Sequence, residues 1–439
     1  MKRSMHFVGY CIAGPTWHNN GSWRHGESDA IDALDPARYE AIAKILEEGL
    51  FDGLFFVDVQ TLFDTYNGTF EANLKEPGQI FLLDPLPLLS AMARVTKHIG
   101  LSCTMSTAFH HPFHIARAFA TLDHISGGRA AWNVVTSASD REAQNFGMDT
   151  LMDRSLRYDH ADEVLEATHA LWNSWEEGAM ILDREKGIYA DPSKVHYVNY
   201  EGRFVKTRGP LTTPRSPQGS PVLMQAGSSA RGREFAGRWA EVIFTLQHSK
   251  PAMQEFYRDI KERVVANGRE AHHCAVLPAI DIIIGETESI AKERQDYINS
   301  LVSVELGVAE ISNAIGVDLS DYPLDKPLVD MEITQGARGV FDVIFKGAND
   351  RGLTLRDAGR AYGENQLTPQ LVGTPQQIAD HMQDMFESEA CDGFVVSPSL
   401  SPSSYVQFVK TVVPELQRRG VYRTEYKGKT FRENLRSGL

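Results

Sequence analysis

The 439-residue sequence predicts an α/β fold, a (β/α)8 TIM barrel carrying several insertions, and two observations support that expectation. Short β-rich runs alternate with amphipathic stretches from one end to the other, the signature of a parallel sheet with crossover helices. Eight such runs can be counted, and several are apolar at consecutive positions, as strands are when both faces of a parallel sheet are covered.

The runs are 6–12 (HFVGYCI), 53–58 (GLFFVD), 100–107 (GLSCTMST), 129–137 (RAAWNVVTS), 221–227 (PVLMQAG), 241–246 (EVIFTL), 276–285 (VLPAIDIIIG) and 392–397 (DGFVVS). Lys2 and Arg3 before an apolar run could mimic a secretion signal, but His6 interrupts it and no A-x-A site follows, so the run is expected to be a first strand. The first outer helix has its own punctuation. Asp35-Pro36 caps and opens it, Tyr39, Ile42, Ile45 and Leu46 form its apolar stripe, and Gly49 stops it. After the fourth run, Tyr158, Ala161, Val164, Leu165, Thr168, Leu171, Trp172 and Trp175 recur at helical spacing and predict one buried face. Pro251, Thr287 and Thr374 open later helices.

Four stretches are left over, near 60–84, 138–157, 176–220 and 303–372, and they read as insertions in a single domain spanning 1–439. All but 176–220, which follows the fourth helix, come after a strand and so belong to the barrel's C-terminal face, where barrel enzymes keep their chemistry. No repeat or low-complexity linker divides the chain.

A formal net charge of −14 argues against binding a nucleic-acid backbone, and no apolar run approaches the roughly 20 residues a membrane span needs. Four scattered cysteines, Cys11, Cys103, Cys274 and Cys391, fit a reducing cytoplasm. His110, His111 and His114 cluster, but without a carboxylate at ligand spacing, so no metal is expected.

The chemistry is expected at strand ends. Gln225-Ala226-Gly227-Ser228-Ser229-Ala230-Arg231 leaves a strand and enters a helix, so backbone N–H groups, two hydroxyls and a guanidinium could cradle a phosphate, although such turns are as often simple caps. Asp58, and Asn133 with Thr136 and Ser137, stand along or at the ends of two other strands. His18 follows the first strand between Trp17 and Trp23, where an imidazole could act on a substrate or serve only as a packed loop residue. No nucleophile elbow, HExxH, Walker A or GxGxxG fingerprint supplies another reaction class, which leaves the reactivity to a cofactor.

In GSWRH (21–25), FDGLFFVD (51–58), LDHISGGRAAWNVVTS (122–137), NFG (145–147), RYDHADEVLE (157–166), TRGPLTTPRSPQG (207–219), QAGSSARGREFAG (225–237) and DGFVVSP (392–398) the chain resembles bacterial-luciferase-like flavin monooxygenases, over nearly its whole length. That group includes nitrilotriacetate, EDTA, long-chain alkane and dibenzothiophene-sulfone monooxygenases, and the sulfone members are the nearest in pattern. The resemblance implies FMN, delivered reduced by a separate NAD(P)H-dependent flavin reductase, O2 as co-substrate, a small organic substrate and a homodimer or homotetramer. It places Asp58 and Thr104 at the flavin, where the strand-end amide of Asn133 could also bond, Ser137 and Tyr158 toward the ribityl-phosphate, and Ser228 with Ser229 on the phosphate. His18 matches an active-site histidine, and Tyr10 stands where the sulfone enzymes carry Phe. A second active-site histidine of those enzymes is matched by Ala314. The implied activity is oxygen insertion into an aromatic sulfone or related organosulfur compound with C–S cleavage. The alternatives are the same chemistry on an N-substituted, aminopolycarboxylate-like molecule, or a deazaflavin-dependent dehydrogenase on the same barrel.

Overall fold

The computed structural model describes residues 3–247, 249–326 and 353–437. Part of the expected 303–372 insertion, residues 327–352, therefore lies outside the described residues.

Each of the eight expected runs matches a strand to within a few residues at its ends: β1 His6–Ile12, β2 Gly53–Val57, β3 Gly100–Ser106, β4 Ala130–Val135, β5 Val222–Gln225, β6 Val242–Thr245, β7 Ala275–Ile284 and β8 Gly393–Pro398. Neighbours in the ring pair in parallel, β8 lies between β1 and β7, and the β6–β7 pairing closes the ring into an eight-stranded barrel. A short strand not foreseen from sequence, Gln370–Gly373, adds to the C-terminal end of β7.

The outer helices start where the capping residues predict. In α1 (Pro36–Glu48) the Asp35 side chain accepts from the Ala37 N–H, with Pro36 in the first turn. Helices α2 (Pro85–Val95), α3 (Pro112–Ser126), α4 (Arg157–Trp172), α5 (Ala230–Trp239), α6 (Lys250–Ala266) and α7 (Pro375–Glu387) follow, and residues 403–418 make the eighth helical layer. Gly49 does cap α1, but with φ −75°. The left-handed turn falls on Leu50 (φ 59°), and Gly49 is where Val409 packs too closely to admit a Cβ. Trp175 departs from expectation: α4 ends at Trp172, and Trp175 instead bridges Val195 while its indole N–H donates to the Leu211 carbonyl at 2.7 Å.

Strand register decides which side chains face inward. Phe55 of β2 and Phe244 of β6 belong to non-adjacent strands, yet their rings lie 4.6 Å apart, so they meet across the barrel interior. Following the register from them puts Tyr10, Thr104, Asn133, Met224, Leu277, Asp281 and Ser397 on the inner face as well.

The N-terminal end of the barrel is sealed by residues 421–436. Tyr426 donates to the Phe51 carbonyl at 2.6 Å, and the Phe431 N–H donates to the Gly128 carbonyl at 2.9 Å. Arg423 pairs with buried Asp52, which also holds the His6 ring at 2.9 Å. The 176–220 segment starts and ends on this side, while its residues 203–206 run up along α4 as far as His111 at the start of α3. It carries a hairpin, Met180–Asp183 with Ile188–Ala190, and its Gln218 amide donates to the Ala130 carbonyl, at the start of β4. No helix among the described residues is long and apolar enough to cross a membrane.

Candidate active site

The C-terminal strand ends carry the candidate residues. β1 brings in Tyr10, and the turn after it returns His18 onto the Tyr10 ring, with centroids 4.1 Å apart and planes tilted by 33°. Phe55 meets Tyr10 edge-on at 5.7 Å, so His18, Tyr10, Phe55 and Phe244 form one continuous aromatic wall. Burial lowers the His18 pKa to about 3, so the imidazole stays neutral at working pH, and its Nδ1 has no hydrogen-bond partner among the described residues. The Tyr10 hydroxyl accepts from Gln79 Nε2 at 3.1 Å, and burial raises its pKa above the usual phenol value.

On the next strands, Thr104 and Asn133 are register partners. The Asn133 amide donates to Thr104 Oγ1 at 2.9 Å, and the Thr104 hydroxyl donates onward to the Phe56 carbonyl. Asn133 Oδ1 is left buried without a partner. Asp58 stands one residue beyond β2. Burial first, then the nearby Asp84 and Glu142 carboxylates, raise its pKa to about 7. Ser137, in the left-handed region at φ 56°, donates to Ser106 Oγ at 2.9 Å.

The turn after β5 behaves partly as expected. Ser229 caps α5, its Oγ accepting from the Gly232 N–H at 3.1 Å, and Ser228 and Ser229 are both exposed. Tyr158, from the first turn of α4, reaches the same place: its hydroxyl lies 3.5 Å from Gln225 Nε2. A Cβ on Gly232 would sit 2.7 Å from the Tyr158 oxygen and 3.1 Å from Ser229 Oγ, so glycine keeps these hydroxyls within reach of one another. Arg231 does not point into the turn. Its guanidinium is engaged by Asp159 at 3.1 Å and by Asp162.

The barrel thus brings together two groups at one mouth, the aromatic wall with His18 and the hydroxyl-rich turn of Tyr158, Ser228 and Ser229, with Thr104, Asn133 and Ser137 on the strands between them. These residues suit a flavin: the hydroxyls and N–H groups at a helix N-terminus suit its phosphate, and the unpartnered buried oxygens of Asn133 and Gln225 suit its N–H and hydroxyl donors. His111 is taken up locally, accepting from the Phe113 N–H, and no cluster of metal-ligating residues occurs among the described residues.

Sequence reasoning missed several groups here. Phe55 and Phe244 read as ordinary core within apolar runs. Asp281, fully buried inside the barrel with Oδ1 unpartnered, has its pKa raised by burial to about 7. Glu310, on the insertion helix Val304–Ile315, is buried against Asn20, Gln79 and Gln366; its only sequence signal is an acid between the apolar pair Val308-Ala309 and Ile311 of a largely apolar helix. Ala314 packs against an apolar cluster of Val308, Ile311, Leu355 and Tyr362 that belongs to the insertion itself. A concavity of about 490 Å³ between Trp175, Arg215, Gln218 and Arg432 lies at the opposite end of the barrel, away from these residues.

Comparison with known proteins agrees with this geometry. Residues 16–390 match the luciferase-like monooxygenase family. Dibenzothiophene-sulfone monooxygenase of Rhodococcus erythropolis (strain XP) is 45% identical, over 99% of this chain and 97% of the relative. Component A of nitrilotriacetate monooxygenase from Aminobacter aminovorans is 39% identical, over 94% and 93%. A crystal structure of riboflavin lyase with modified FMN and riboflavin superposes with a TM-score of 0.89 at 32% identity, covering 99% of this chain and 96% of that one. A closed parallel barrel, a mouth lined by aromatic and hydroxyl side chains, and full-length similarity to monooxygenases together establish that this chain belongs to the luciferase-like monooxygenase family.

Proposed function

We propose that the protein is the oxygenase of a two-component system, one catalytic unit that takes reduced FMN from a separate NAD(P)H-dependent flavin reductase and oxygenates a small organosulfur compound, an aromatic sulfone or a close analogue, with C–S cleavage. The observation that carries this reading is the aromatic wall of Tyr10, Phe55 and Phe244 beside a neutral, partly unpartnered His18 at the barrel mouth. Flat aromatic substrates gain most from such a surface. The similarity to a dibenzothiophene-sulfone monooxygenase supports the substrate class.

Ser228, Ser229 and Tyr158 would hold the flavin phosphate, Ser137 the ribityl chain, and Thr104, Asn133 and Asp58 the side of the ring. Reduced flavin, when bound, supplies the electrons with which O2 is split, one oxygen passing to the substrate and the other to water. The protein's own part is to position and to exclude water. Tyr10, Phe55 and Phe244 fix the substrate plane. His18, neutral at working pH, offers a hydrogen bond at the reacting group without carrying a charge into an apolar site. The insertions around the mouth keep water out.

The absence of a dinucleotide fingerprint supports a separate reductase, the scattered free cysteines support a cytoplasmic setting, and a homodimer or homotetramer follows from the family resemblance. Where the sulfone relatives are expected to present a histidine, the insertion here offers Ala314 within its own core and Asn313 beside it. The Asn313 Nδ2 is buried without a partner.

The test is turnover of a panel of sulfones, thioethers and aminopolycarboxylates with FMN, NADH, an unrelated flavin reductase and 18O2. One labelled oxygen in an organosulfur product is expected. Peroxide as the sole product would overturn the substrate class, and turnover with a reduced deazaflavin in place of FMN, without O2, would overturn the reaction.

A further inference from the structure

The barrel mouth is assembled from segments far apart in the chain, and one buried side chain joins them. Glu310 accepts from Asn20 Nδ2 at 2.6 Å, from the Gln79 backbone N–H at 2.9 Å and from Gln366 Nε2 at 3.1 Å. Each donor comes from a different loop. Asn20 lies two residues past His18 in the turn after β1. Gln79 belongs to the insertion after β2, and its side chain donates to the Tyr10 hydroxyl. Gln366 follows the helix Leu355–Asn365, and the Asn20 N–H is itself bonded to the Gly363 carbonyl at 2.8 Å.

None of these partners carries a charge, so the carboxyl is buried among neutral amides, with the Tyr10 and Tyr362 phenols as the titratable groups that feel it. Gly78 is cut to fit, since a Cβ there would collide with Glu310 Oε1. A buried acid without a counter-ion is costly, and a helix that needs only packing would carry Leu or Met at this position.

We propose that Glu310 is a positioning residue for the oxygenation: it ties the insertion over the barrel mouth to the loops that hold Tyr10 and His18, so that the aromatic wall takes its working geometry only when the insertion is seated. The inference rests on the reading of Tyr10 and His18 as substrate-facing groups. Burial raises the Glu310 pKa to about 7, so the strength of the tie changes across neutral pH.

Glu310→Gln keeps the shape but places an NH2 among donors. In the full-length chain without flavin, amide exchange at Asn20 and Gln79 is expected to quicken about tenfold while exchange in β1–β8 is unchanged. In turnover, kcat is expected to fall about tenfold with KM little altered, peroxide to rise per NADH consumed, and the loss to be less than additive with Tyr10→Phe. The wild-type pH profile should contain a step near neutrality that Glu310→Gln lacks. Gln79→Met removes only the donor to Tyr10, and is expected to reproduce the kcat loss without the change in exchange. If Glu310→Gln does not fold, Gln366→Leu removes a single bond to the same carboxyl and is expected to show the same local quickening.

Unchanged exchange at Asn20 and Gln79, exchange quickened uniformly through the barrel, or a loss fully additive with Tyr10→Phe would each overturn the proposal. Failure of the wild type on every organosulfur compound, with the exchange result as expected, would instead overturn the functional reading and leave the tie standing.

Discussion

The two ends of the barrel bury charge in opposite ways. At the N-terminal end three buried carboxylates meet cations, Asp52 with Arg423 and His6, Glu241 with Arg432 and Arg436, and Asp392 with Arg3 and Lys261, while Asp123 is held by the Ala130 N–H and Gln218 instead. Burial alone would raise all three acids, but those partners pull Asp52, Glu241 and Asp392 below their usual values. At the mouth, Asp58, Asp281 and Glu310 find no such cations, and burial raises each to about 7. His18 Nδ1, Asn133 Oδ1 and Asp281 Oδ1 stay unpartnered there. One end gives most of its buried carboxylates a cation and the other leaves its own without one, as expected where stability and chemistry are divided between the faces of a barrel.

Breaking the satisfied end should cost most. Arg423→Ala leaves Asp52 buried with only the His6 ring and the Phe7 N–H for partners, and is expected to destabilise the fold by about 3–5 kcal/mol, read by denaturant unfolding. A loss below about 1 kcal/mol would show that Asp52 is not held by this pair. At the mouth the same kind of change should spare the fold. His18→Asn is expected to lower kcat about 100-fold while moving Tm by no more than about 2 °C; a Tm drop matching the activity loss would make His18 a packing residue. Ser229→Ala with Tyr158→Phe should weaken reduced FMN about tenfold in an anaerobic titration, and unchanged affinity would move the phosphate elsewhere.

The smallest effect concerns pH, and it has opposite signs at the two ends. The folded-state values of Asp281 and Glu310 lie above the unfolded ones, so their contribution is full below about pH 4 and is lost as pH rises to about 7. Asp52, Glu241 and Asp392, shifted down, contribute above their unfolded values and lose that contribution only as acid protonates them. Asp281→Asn should therefore flatten the decline in Tm between pH 5 and 8 by about 2 °C and leave acid unfolding alone. Parallel Tm curves for the two proteins would rule this out.

What could be read from the sequence follows the range of the interactions involved. Strand runs and capping residues are local, so β1–β8 and the start of α1 were legible, as was the order in which strand ends deliver Tyr10, His18, Asp58, Asn133 and Ser229 to one face. Adjacent Phe55 and Phe56 could not be told apart. Only the closed register turns Phe55 inward to Phe244 and Phe56 outward to Tyr39 of α1. Glu310 was illegible for a stronger reason: its partners Asn20 and Gln79 lie 290 and 231 residues away along the chain. Arg231 read as a phosphate ligand because its charge was visible and the competing Asp159 and Asp162 of α4 were not yet placed beside it.

The segment 421–436 fastens β1, β2, β4 and β6 from below, through Val421 to Met5, Tyr426 to Phe51, Phe431 to Gly128 and Arg432 to Glu241. During synthesis these residues leave the ribosome after every strand they hold. The nascent barrel must wait with its lower rim open and Asp52 without its arginine, so the protein depends on its late-made residues to leave an aggregation-prone stage.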